Sequence, residues 1–154
     1  MPPAPKLPQA GLDLIVTGLL LPQLERLGLE PGRVPADGAT CSGRSRGYVY
    51  GMACGVAGRM TDSSNQIVAT AEAAFAYVWG PEHAGDALAT LECGREGDRE
   101  IVGAIHRGTA DVEALLDGKP GAEVIGFWLL NNGEHDPAEV IPPYRIPGPI
   151  PVTA

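Results

Sequence analysis

Residues 47–79 read GYVYGMACGVAGRMTDSSNQIVATAEAAFAYVW, and their secondary structure decides the fold. Two apolar runs flank a polar break, TDSSNQ, at 61–66. In the first run large and small residues alternate. Tyr48, Tyr50, Met52, Cys54 and Val56 form one set; Val49, Gly51, Ala53, Gly55 and Ala57 form the other. A period of two is that of a strand with a bulky face and a small face. Gly47, Gly51 and Gly55 also recur every four residues, the spacing by which two helices bring their backbones together. Four glycines within 47–58 cost a helix about 1 kcal/mol each relative to alanine, which favours the strand. The second run as a strand places Ile67, Ala69, Ala71, Ala73, Phe75, Tyr77 and Trp79 on one face, with Glu72 the charge on the other. As a helix it gathers Ile67, Ala71, Ala74, Phe75 and Val78, and its alanines favour that. Asp, Ser and Asn between the runs are turn formers, so a hairpin is expected.

Working outward, the sequence predicts an α+β domain: a mainly antiparallel sheet or small barrel, one or two short helices, and Pro-rich extended arms at both ends. An all-α bundle is the alternative. The boundaries are an arm at 1–11, one globular domain at 12–136 and a second arm at 137–154. Leu12, Leu14 and Val16 alternate as in a strand, and Pro22 opens a short helix that Gly28 ends. Residues 30–47 read as a long loop. Residues 99–106 are β-branched and strand-like. Thr109 to Gly118 read as a short helix with Thr109 as its cap. Residues 122–132, AEVIGFWLLNN, read as a buried strand. Six prolines between 137 and 151 preclude a helix there.

Composition narrows the function. The chain has 154 residues and 44% hydrophobic content, so it supports one ordinary core. A net charge of −8, with no cluster of Lys and Arg, disfavours nucleic acid and anionic membrane surfaces. No run reaches the roughly 18 apolar residues of a membrane span, and the N-terminus lacks a signal-peptide pattern, so a cytoplasmic protein, or part of an assembly made in the cytoplasm, is expected. Cys41, Cys54 and Cys93 stand apart, as reduced thiols rather than a disulfide framework. No metal-ligand spacing and no nucleotide fingerprint occurs, so neither metal nor cofactor is expected.

Candidate chemistry is sparse. His106 ends an apolar run, and with an inward-facing Glu72 it forms a candidate acid–base pair. Tyr48, Tyr50, Tyr77, Trp79 and Trp128 are candidates for an aromatic ligand pocket. The C-terminal arm is stiff yet apolar, with Tyr144, Ile146 and Ile150 as candidate partner-binding residues. A groove that receives it lies either on the same subunit or on a neighbour. Two functions follow. One is a non-enzymatic assembly subunit that docks its arms on a protein partner or in a homo-oligomer. The other is a small enzyme or ligand-binding barrel, with a small-molecule ligand in the aromatic pocket and Glu72 and His106 as polar groups.

Overall fold

A computed structural model describes residues 8–61 and 63–145. These residues are helical, and no strand occurs among them. The order is α1 (Gln9–Arg26), α2 (Gly43–Met60), α3 (Ser64–Trp79), α4 (Asp86–Arg95), α5 (Arg99–Leu116), α6 (Gly126–Asn131) and α7 (Pro137–Val140). Single turns of 3-10 helix precede α2 and α4. No helix among the described residues is long and apolar enough to cross a membrane.

The sheet or barrel, and with it the β-rich expectation, is therefore wrong, and the all-α alternative is the observed class. The glycines of 47–55 serve helix packing, not a strand. α2 lies at the centre of the bundle, and Tyr48, Val49, Tyr50, Met52, Ala53, Val56 and Ala57 are all fully buried. A helix that is apolar all round is a core helix, and its alternation of large and small residues carries no strand information. Three of its glycines, Gly47, Gly51 and Gly55, face α5. A Cβ on Gly47 would sit 2.7 Å from the Ile101 carbonyl oxygen and 2.8 Å from Ala104 Cβ. One on Gly55 would sit 2.7 Å from Val112 Cβ, and one on Gly51 would run into the Ile105 carbonyl. From the other side, a Cβ on Gly108 would run into the Tyr48 carbonyl. Thr109 Oγ1 lies 3.1 Å from the Gly51 oxygen and 2.8 Å from the Ile105 oxygen, so its one proton ties the two backbones. Each glycine costs helix propensity, but the close approach it allows lets Met52, Ile105 and Val112 bury fully, worth about 1.5–3 kcal/mol apiece.

The break at 61–66 is a helix–helix turn rather than a hairpin. The Thr61 hydroxyl lies 2.6 Å from Gln66 Oε1, and Ser63 caps α3 by accepting from the Gln66 amide. Along α3, Ile67, Ala71, Ala74, Phe75 and Val78 are buried together, the set that the helical reading gathers. The strand at 12–16 is part of α1, whose Leu12, Val16, Leu20 and Leu24 form one buried stripe with Pro22 inside the helix. The strand-like 99–106 and the short helix from Thr109 are one helix, α5, capped by Asp98, whose Oδ1 accepts from the amides of Glu100 and Ile101 at 3.1 Å. The buried strand expected at 122–132 is instead α6, preceded by a segment without regular structure. In the C-terminal arm, Pro137 at the first helical position allows the single turn of α7, capped by Asp136.

Candidate functional site

The second face of α5 carries the candidate site. Arg107 and Asp111 are one turn apart on it, and Arg107 Nε bonds both Asp111 oxygens, at 3.0 and 3.2 Å. Tyr48 reaches the same carboxylate from the core, its hydroxyl donating to Asp111 Oδ2 at 2.8 Å. That reach depends on Gly126, because a Cβ there would run into the Tyr48 ring. Burial, and then the neighbouring Asp111 charge, push the Tyr48 phenol well above its usual range, so it stays a proton donor.

Around this chain of contacts lies an open cleft of about 350 Å³. Arg107, Asp111 and Ala114 of α5 form one wall, the loop from Gly121 to Ile125 another, and Leu129 of α6 closes it. α6 is fixed by the buried Gln23 of α1, whose Oε1 accepts from the amides of Phe127 and Trp128 at 2.9 and 3.3 Å and so caps the helix start. A second recess of about 300 Å³ continues past Arg107 and Leu129 to His135, Glu139 and Val140. Arg107 is thus common to both hollows. Two acceptors already hold it, Asp111 at Nε and the Val140 carbonyl at Nη1, 3.1 Å away. Its remaining N–H groups can serve an anionic oxygen, while Asp111 and Glu123 can accept from a ligand's donors.

The residues singled out in the sequence are dispersed. Glu72 lies on α3 and acts on Tyr50, whose phenol is raised chiefly by burial. His106 lies on α5, stacked on Tyr144 with ring centroids 4.9 Å apart. Among the described residues no hydrogen bond or ion pair joins Glu72 to His106. Tyr48 is fully buried and meets the cleft only through its bond to Asp111, and none of the five aromatic candidates lines it. Tyr50 is fully buried with its hydroxyl unpartnered. Trp79 packs on Phe75 and Phe127 and donates to the Thr40 carbonyl at 3.1 Å. Tyr77 is half-buried on α3. Trp128 carries the Arg26 guanidinium 3.7 Å over its ring. Tyr144 rests on its own chain's α5, whereas Ile146 and Ile150 lie outside the described residues. Cys54 is buried and its thiol is pushed up to about 12 by that burial. Among the described residues no three His, Cys, Asp or Glu side chains cluster as metal ligands.

Arg107 and Asp111 were missed because the helix was expected to begin at Thr109, which separates them. Read as one helix from Asp98, the sequence places Arg107 and Asp111 four apart on one face, a recognisable ion pair. Comparison with protein-family models, with curated proteins and with solved structures finds no match.

Proposed function

We propose that the protein is a helical binding domain for a small polar ligand that carries both an anionic group and hydrogen-bond donors. The observation that supports it is the contact chain in which the buried Tyr48 hydroxyl holds Asp111 from the core while Asp111 and Arg107 line one wall of a cleft of about 350 Å³. An ion pair on a plain solvated helix face adds little and needs no buried phenol beneath it. Here the phenol and the guanidinium fix the carboxylate from two sides, which is the pre-organisation a binding site needs. Arg107 takes the anionic group and Asp111 with Glu123 take the donors. On this reading the protein is cytoplasmic and works without metal or cofactor.

The assembly reading has less support, because Tyr144 and Ile141 are engaged on their own subunit. What favours it is Leu14, 72% exposed on the outer face of α1 beside Leu21. The mass in solution separates the two, since a monomer leaves that face idle.

The test is calorimetric titration with the small zwitterions β-alanine, taurine and phosphoethanolamine. At least one is expected to bind with a Kd of about 1 mM or below. Arg107→Gln is expected to weaken it about tenfold or more, the loss of a charge-assisted bond. No binding by any of the three, or affinity untouched by Arg107→Gln, contradicts the proposal.

A further inference from the structure

Residues 140–144 cross α5 beside the cleft as a strap. Arg44 Nε donates to the Ile141 carbonyl at 2.9 Å, and the Tyr144 amide donates to the Arg99 carbonyl at 3.0 Å. The Tyr144 ring stacks on His106 with 16° between the planes. Gly103 makes room for the crossing, since a Cβ there would lie 2.8 Å from the Pro142 oxygen and 3.4 Å from the Tyr144 nitrogen. The remaining tie is Arg107 Nη1 on the Val140 carbonyl. Among the described residues, Arg107 is the side chain hydrogen-bonded to both the strap and the cleft carboxylate.

We propose that strap docking and cleft occupancy are linked through Arg107. An anionic oxygen is a stronger acceptor for a guanidinium than a neutral carbonyl. A ligand that places one in the cleft pulls the rigid guanidinium toward itself, carrying Nη1 away from Val140 and loosening the strap. Reciprocally, a strap that has left α5 returns that donor to the cleft and raises affinity by the same factor. The ligand half of this inference rests on the cleft reading above; the link between Asp111 and the strap does not.

The test reads amide hydrogen exchange at Tyr144 without ligand, with core amides such as Ile105 and Val49 reporting that each variant stays folded. Gly103→Ala sets a methyl group against the Pro142 oxygen while improving the helix, so it opens the strap alone. Asp111→Asn keeps an acceptor for Tyr48 but removes the charge that orients Arg107. Both are expected to speed Tyr144 exchange about fivefold or more. In an Arg107→Gln background, Asp111→Asn is expected to add nothing. Unchanged Tyr144 exchange in Asp111→Asn overturns the link. Inorganic phosphate, titrated at constant ionic strength, then probes the ligand half. It is expected to bind Gly103→Ala about fivefold tighter than the parent. Equal or weaker binding overturns the ligand half. Phosphate that binds neither protein overturns it together with the cleft reading, while the exchange result still decides the link itself.

Discussion

Two stripes run side by side along α5, one residue out of register. Ala104, Gly108 and Val112 face α2 and are buried in the seam. Gly103, Arg107 and Asp111 face the strap and the cleft. Spacing is the same in both, four residues, and each contains a glycine whose missing Cβ admits another backbone. They differ in what the close approach achieves. On the first stripe it seals two helices together and leaves no room for a ligand. On the second it holds a short segment that other contacts must clip in place, next to an open hollow. If the proposed cleft binds, stability and binding fall on neighbouring faces of one helix, and variants should separate them.

The largest effect belongs to the seam. Gly51→Val puts a branched side chain against the Ile105 carbonyl, and backbone has nowhere to move. The cost is expected to be about 3 kcal/mol or more, read as a lower urea midpoint. A midpoint equal to the parent's shows that the two helices do not meet there.

Tyr48→Phe tests where the stripes meet. The ring stays under Gly126, but Asp111 loses a donor. Because the cleft lets water replace that donor, the expected loss is only about 1 kcal/mol. Zwitterion binding should fall as well, since the carboxylate is no longer held from below. Unchanged affinity places the phenol in the core and outside the site.

The smallest effect is a gain. Gly58 lies on α2 like the seam glycines, yet nothing stands within 4 Å of the position its Cβ would take. Gly58→Ala should stabilise the protein by about 0.5–1 kcal/mol through helix propensity. A loss instead reveals a contact at that end of α2.

How much of this was legible follows from the same two stripes. The four-residue glycine spacing at 47–55 is plain in the sequence, and so is its meaning for helix pairs. Propensity outweighs it because the compensating partner, Gly108 with Ala104, lies nearly sixty residues away. Local cost is visible in a sequence; the long-range contact that offsets it is not. The buried set of α3 was readable as a helix, and the stops at Gly28 and Gly118 are where the chain takes a positive φ. Of the apolar C-terminal arm, Tyr144 stacks on His106 of α5 and its amide donates to the Arg99 carbonyl, while residues 146–154 lie outside the described residues. The site itself was not legible. Arg107 and Asp111 look like ordinary surface charges until α5 is continuous through Thr109. No pattern in the sequence brings Tyr48 beneath them, because that contact depends on Gly126 being empty on one side.

The most direct measurement is backbone amide chemical-shift mapping with phosphoethanolamine, which carries the anionic group and the amine in one molecule. The cleft assignment predicts that shifts gather at Arg107, Asp111, residues 121–125 and Leu129, and that Arg107→Gln moves their midpoint to about tenfold more ligand or beyond. Shifts that are absent there, or that gather on the outer face of α1 around Leu14, contradict it.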